Sequence, residues 1–63
     1  MTFSTCDAIL YQLASDGPCD KAELRRWVEQ QATDGADFDA ALAGLTEDNV
    51  IEYDEEFGVF DLA

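Results

Sequence analysis

The order of its hydrophobic patterns limits the fold of this chain more than any other feature of the sequence. Three successive segments carry residues at i, i+3, i+4 and i+7, the spacing of one face of a helix. From residue 50 onward the pattern changes to short runs of β-branched and aromatic residues. We therefore predict an α+β fold in a single domain over residues 1–63, with three short helices followed by a C-terminal β-hairpin.

The first helix is predicted to begin at Ser4 or Thr5, because Ser4 and Asp7 have the spacing of a capping box. It should end near Ala14, before the turn-forming residues 15–18. Its inward face is predicted to consist of Cys6, Ile9, Leu10 and Leu13.

Asp20 and Glu23 have the same capping spacing and mark the start of the second helix, which should end at residues 33–35. A third helix is predicted from Asp37 to Asp48, with acids in the first turn where the helix dipole favours them. The predicted inward faces are Leu24, Trp27, Val28 and Gln31 in the second helix and Phe38, Ala41, Leu42 and Leu45 in the third.

The tail is predicted to form a hairpin. Asn49 readily adopts the left-handed conformation that closes a helix. Strands are expected over residues 50–53 and 57–62, joined by a turn of three acids at residues 54–56. Gly58 is expected to mark a bulge in the second strand.

A formal net charge of −12 is the strongest indication of function. Fifteen Asp and Glu face three Lys and Arg, on a folded surface of roughly 4,000 Å² for a chain of this mass. Binding to phosphates requires Lys and Arg that replace counterions, so we expect no direct binding of nucleic acid or of an anionic membrane. The charge favours basic proteins, divalent cations or a high-salt environment.

Neither catalysis nor a cofactor is expected. The chain has no His, and its four Gly are scattered rather than grouped in a phosphate-binding loop. Cys6 and Cys19 are too few for a standard zinc site, and the acids at residues 54–56 lack the spacing of an EF-hand. We interpret the two cysteines as small, mostly buried thiols in a reducing cytosol, and leave a disulfide between them open.

The same patterns bear on location and assembly. No apolar run approaches the roughly 20 residues of a membrane span, and the first residues lack the basic region of a signal peptide. We expect a cytoplasmic location, in the host cell if the protein is viral. Self-association through the first helix is left open.

Two segments resemble the winged-helix family of helix-turn-helix domains. The stretch DGPCDKAELRRWV is similar to the entry to the second helix of that family, with Pro18 and Cys19 in place of the short first strand. The stretch FDAALAGLTEDNVIEYDEEFGVFDL is similar to the third helix and the wing. The resemblance implies that the third helix and the hairpin form the interaction surface, since these elements usually contact DNA in the family.

In this chain the corresponding surface is acidic, and no Lys or Arg follows Arg26. In size and charge the chain is similar to phage-encoded DNA mimics that inhibit restriction and CRISPR systems. We therefore predict a non-enzymatic inhibitor that binds a basic, nucleic-acid-binding protein. The residues predicted to bind this partner are Asp37, Asp39, Glu47, Asp48, Glu52, Asp54, Glu55 and Glu56.

The alternative is a winged-helix regulator or adaptor adapted to a halophilic cytosol. Molar salt favours acidic surfaces with few lysines, and the chain has one Lys and more Asp than Glu. At about 1 M salt the Debye length is about 3 Å, so like charges repel weakly. The acids would then be a general coat. The domain would bind a protein partner, or DNA under screened conditions, and contacts would involve exposed aromatic residues such as Tyr11 and Phe57. For Trp27 we favour a place in the core.

Overall fold

The structure of the protein is a computed structural model that describes residues 3–63. It confirms an α+β fold of three helices followed by an antiparallel two-stranded hairpin. The surface measures 4049 Å², close to the area expected from the mass. The elements are α1 (Thr5–Asp16), α2 (Lys21–Gln31), α3 (Phe38–Glu47), β1 (Ile51–Asp54) and β2 (Val59–Leu62).

Each helix begins at a polar residue whose side chain accepts a hydrogen bond from a backbone N–H in the first turn. Ser4 caps α1, Asp20 caps α2 and Asp37 caps α3, with donor–acceptor distances of 3.1, 2.7 and 3.2 Å. The predicted starts are therefore confirmed. Helix α1 continues to Asp16, two residues beyond its predicted end, and stops at Gly17, whose positive φ of 83° suits glycine.

The buried face of α1 differs from the predicted one. Cys6 is exposed, so its assignment to the inward face and to the buried thiols is wrong. The buried positions keep the helical spacing and retain Ile9 and Leu13, but the face is turned toward Thr5 by less than the about 100° between successive residues. The buried residues are Thr5, Ala8, Ile9, Gln12 and Leu13. The rotation follows from Thr5, because contacts with the α2–α3 connection hold this residue inward.

The core lies between the three helices and the base of the hairpin. From α2 it takes Leu24 and Val28, whereas Trp27 is half-buried and Gln31 is exposed, contrary to the prediction for Gln31. The third helix buries Phe38 and Leu42, and Ala41 and Leu45 pack against the core from its edge. The full set of buried hydrophobic residues is Ala8, Ile9, Leu13, Cys19, Leu24, Val28, Phe38, Leu42 and Ile51.

The hairpin pairs Ile51 with Leu62 and Tyr53 with Phe60. The second strand begins at Val59 rather than at residue 57, because residues 55–58 form the turn and Gly58 occupies its left-handed position, at φ 66°. The predicted bulge at Gly58 is therefore a turn position. On its other side, β2 meets Cys19, which exchanges two backbone hydrogen bonds with Phe60, of 3.0 and 2.7 Å.

A carboxylate joins the start of α1 to the connection between α2 and α3. Asp34 accepts hydrogen bonds from the backbone N–H and the hydroxyl of Thr5, at 3.0 and 2.7 Å, and a third from the N–H of Ala36, at 3.1 Å. The hydrogen bond from the Thr5 hydroxyl is the main reason that the pKa of Asp34 lies below its usual value of 3.8. The ionised carboxylate therefore stabilises the fold.

This coupling predicts how the stability of the Asp34→Asn variant depends on pH. Because the folded pKa is lowered, the contribution of Asp34 is present above the unfolded pKa and is lost as the pH falls through the folded pKa. At neutral pH we expect a lower urea midpoint for Asp34→Asn than for wild type, and a smaller difference well below pH 3.8. Glu55→Gln removes one charge from an exposed turn residue and is the control. A difference that stays constant with pH would contradict the assignment.

Candidate functional site

Negative charge is concentrated at the C-terminal end of the chain. The last 17 residues, from Glu47 to Ala63, contain seven of the 15 carboxylates and none of the three cations. The predicted site residues Glu47 and Asp48 end α3, and Glu52, Asp54, Glu55 and Glu56 lie on β1 and in the turn. All six are exposed.

The other two predicted site residues lie at the opposite end of α3. Asp37 is the N-cap, and Asp39 contacts Lys21 and Arg25 of α2 at 3.0 and 2.8 Å. The hydrogen bond from Lys21, with the charge of Arg25, lowers the pKa of Asp39. A ten-residue helix is about 15 Å long, so Asp37 lies far from Glu47, whereas Asp39 and Glu47 line one surface pocket together with Lys21. Asp37 and Asp39 both stabilise the fold, and the charge of Asp39 is offset.

The two faces of the hairpin differ in character. Ile51 is buried, and since side chains alternate along a strand, Tyr53 shares its inner face. The Tyr53 ring packs against that of Phe60 in a tilted arrangement, with ring centroids 4.8 Å apart. Glu52 and Asp54 therefore point to the outer face. The outer face and the turn form the acidic hairpin surface, which consists of Glu52, Asp54, Glu55, Glu56 and Asp61.

Asp61 belongs to this surface but was missed by sequence reasoning. It pairs directly with Glu52 across the hairpin, and side chains so placed have Cβ atoms about 4.5–5.5 Å apart. Two like charges at this distance destabilise a hairpin. Because side chains alternate along residues 59–61, Asp61 lies on the face opposite to that of Phe60. Its place beside Glu52 follows only once the strand register is known.

The acids of the surface differ in their other contacts. Asp54 accepts hydrogen bonds from the backbone N–H groups of Glu56 and Phe57, at 2.9 and 3.4 Å, and so stabilises the turn. Asp61 accepts one from the N–H of Leu62, at 2.8 Å. The carboxylates of Glu52, Glu55 and Glu56 accept no hydrogen bond from the described part of the chain, so these three are available to a partner.

The three cations, Lys21, Arg25 and Arg26, all lie on α2. Two of them bind Asp39, and Arg25 also lies 3.9 Å from Glu29 and 5.4 Å from the centre of the Phe38 ring. These contacts join α2 to α3. Two of the three cations are thus paired within the fold, and none of the three belongs to the acidic hairpin surface.

Aromatic side chains form a second exposed feature on α1 and α2. The rings of Tyr11 and Trp27 stack with centroids 5.7 Å apart, and Phe3 lies 5.1 Å from Tyr11. Tyr11 is half-exposed, as the sequence indicated, and Trp27 lies between the core and this cluster. Phe57, next to the acidic turn, is 72% exposed and is the most exposed large apolar residue described.

The structure also places three metal-ligand types together near the end of α1. The donor atoms of Asp16, Cys19 and Glu23 lie within 4.8 Å of one another. Burial, with the nearby charges of Glu23 and Asp16, raises the pKa of the Cys19 thiol, which donates a hydrogen bond to the carbonyl of Gly17 at 3.3 Å. A thiol in this state is a poor ligand until it loses its proton. We assign no metal to the group.

Cys6 and Cys19 are both free thiols, so the disulfide left open above is not formed.

No protein family, curated protein or solved structure was found to match the chain. None of the helices within residues 3–63 is long and apolar enough to cross a bilayer.

The pairing of Glu52 with Asp61 predicts that Asp61→Lys stabilises the protein. An opposite-charge pair replaces a repulsive one, so we expect the free energy of unfolding to rise by about 0.5–1 kcal/mol in dilute buffer, and Asp61→Asn to give about half of this gain. At about 1 M salt the gain should shrink, since screening weakens exposed pairs. Urea unfolding checks both values, and Glu55→Lys controls for the same change in net charge. Equal stability of Asp61→Lys and Asp61→Asn in dilute buffer would contradict the repulsion.

Proposed function

We propose that the protein is a non-enzymatic DNA mimic, which uses its acidic hairpin surface to bind and inhibit a basic, nucleic-acid-binding protein of the kind found in CRISPR or restriction systems. The observation that carries the proposal is the concentration of uncompensated carboxylates on the hairpin, including the directly paired Glu52 and Asp61. The partner would meet this surface with the Lys and Arg residues that otherwise contact phosphates.

The charge density of the hairpin supports this reading. Each four-residue strand is about 13 Å long at about 3.3 Å per residue. Five carboxylates lie on these strands and their turn, from Glu52 to Asp61, a spacing of the same order as that of one strand of B-DNA, which carries one charge per about 3.4 Å of axis. A groove that binds one DNA strand would therefore meet a similar density of charge.

Several of these acids lie where they lower the stability of the fold. Glu52 faces Asp61 across the hairpin, and Glu47 ends α3, where the helix dipole disfavours negative charge by about 0.3–1 kcal/mol. If stability alone determined the residues at these positions, Lys or Arg would be expected there. The presence of Asp and Glu is better explained by an interaction that requires negative charge.

The test is the release of proteins from immobilised DNA. Lysate of the source organism, or of its host, is bound to DNA-cellulose and eluted with the purified chain at low salt. We expect wild type to release one or a few DNA-binding proteins, and the Glu52→Gln, Glu55→Gln, Glu56→Gln triple variant to need at least about tenfold more protein for the same release, because it lacks three charge-assisted contacts. Asp54 is left unchanged because it stabilises the turn.

The control is the Asp7→Asn, Glu23→Gln, Glu29→Gln triple variant, which has the same net charge but an intact acidic hairpin surface. It should release the same proteins as wild type. Equal weakening of both triple variants would mean that net charge alone causes release, and the proposed site would be wrong. Absence of any released protein would overturn the DNA-mimic function.

A halophilic coat of acids is the second candidate function. It is favoured by exposed acids outside the hairpin, such as Asp7, Glu23 and Asp16. Asp16 lies at the C-terminal end of α1, where negative charge is unfavourable.

The two candidate functions differ in the salt concentration that the protein needs to fold. The mimic must fold in an ordinary cytosol, so we expect the helical circular dichroism of wild type to be nearly unchanged between about 0.02 M and about 1 M salt. Loss of helix in dilute buffer, restored by molar salt, would favour the coat.

A further inference from the structure

The outer edge of β1 carries backbone groups that no strand satisfies. In an antiparallel ladder each residue directs its N–H and C=O to one side only. Phe60 directs both of its groups to Cys19, on the side of β2 that faces away from β1. Tyr53, which pairs with Phe60, therefore makes no ladder hydrogen bonds to β2. Its own N–H and C=O point away from the hairpin.

This edge is unoccupied in the part of the chain that the structure describes. The sheet has two strands in the order β1–β2, so nothing pairs with β1 on its outer side. Tyr53 is 47% exposed, and both of its neighbours, Glu52 and Asp54, are exposed. An added strand would find one free donor and one free acceptor at Tyr53, at the centre of the acidic hairpin surface.

The side chains around the edge select what can pair there. A strand added beside β1 would place residues opposite Glu52 and Asp54 on the outer face, at a cross-strand distance of about 5 Å. Lys or Arg at these alternate positions would be stabilised. The residue between them would lie opposite Tyr53 on the inner face, where an apolar side chain would pack against the ring.

A second copy of the chain is a poor occupant. Antiparallel pairing of two β1 strands about Tyr53 would set Glu52 of each copy against Asp54 of the other. Four carboxylates would meet without a cation, which opposes such pairing. The charges at this edge thus disfavour self-association through it.

We propose that β1 binds an extended basic segment of the protein partner by strand addition, with Lys or Arg opposite Glu52 and Asp54 and an apolar residue opposite Tyr53. The inference rests on the proposed function and adds the mode of binding and the kind of segment recognised. Backbone hydrogen bonds fix the orientation of the segment, and its alternating side chains give specificity.

The first test uses a synthetic peptide of alternating Lys and Val, and the same peptide with N-methyl groups on the backbone nitrogens that would face β1. Binding to ¹⁵N-labelled protein is followed by NMR. We expect hydrogen exchange of the Tyr53 amide to slow by at least about tenfold at saturation, and the N-methylated peptide to bind about tenfold more weakly, because a backbone hydrogen bond is lost at equal charge. Equal binding of both peptides without protection of Tyr53 would overturn strand addition.

The second test uses the protein and a matched pair of variants. Tyr53→Pro removes the outward N–H without breaking the ladder to β2, since proline is tolerated on edge strands. Tyr53→Val removes the ring and keeps the N–H. We expect Tyr53→Pro to bind the peptide about tenfold more weakly than Tyr53→Val, with both variants folded by circular dichroism. Equal binding by the two folded variants would overturn the proposal, and if Tyr53→Pro does not fold, the N-methylated peptide decides.

The DNA-cellulose assay separates this inference from the proposed function. Release by Tyr53→Pro at the level of Tyr53→Val would overturn strand addition and leave the DNA mimic standing. Weaker release by Tyr53→Pro alone would support strand addition. The triple glutamine variant of the hairpin tests the mimic independently, because it keeps the backbone edge intact.

Discussion

Uncompensated negative charge is the constraint to which the rest of this structure responds. Fifteen carboxylates share a surface of 4049 Å² with three cations, so most acids have no ion-pair partner. The fold places many of them where backbone N–H groups are free, at helix starts and in turns. Within residues 3–63, seven of the nine aspartates accept a hydrogen bond from the chain, and no glutamate does. The short side chain of Asp is suited to such local bonds.

This difference between the aspartates and the glutamates reduces the number of candidate binding residues. Of the eight carboxylates predicted to bind a partner, Asp37, Asp39 and Asp54 stabilise the fold, and their replacement would change both stability and binding. Four of the six glutamates lie between residues 47 and 56. Because these make no hydrogen bond within the described chain, they are the acids whose charge is free for recognition. They are Glu47, Glu52, Glu55 and Glu56.

Local signals were sufficient for the order of the elements and for the starts of the helices, because caps and hydrophobic spacing act within a few residues. They were insufficient where distant parts of the chain meet. Cys6 was placed inward because it continues an apolar stripe, but the bond between Thr5 and Asp34, 29 residues apart, rotates α1. Asp61 was missed because its place opposite Glu52 depends on the strand register. The pairing of Asp39 with Lys21 and Arg25 likewise depends on how α2 packs on α3.

The contact between Cys19 and Phe60 links the fold to the proposed mode of binding. By taking both backbone groups of Phe60, Cys19 occupies the outer edge of β2 and leaves β1 as the open edge of the sheet. The open edge is the one that carries Glu52 and Asp54, so the free backbone groups and the free charge coincide. Charge attracts a basic partner from a distance but does not orient it. The backbone edge orients a strand but does not select its charge. Recognition of one basic segment among many requires both, and in this chain β1 supplies both.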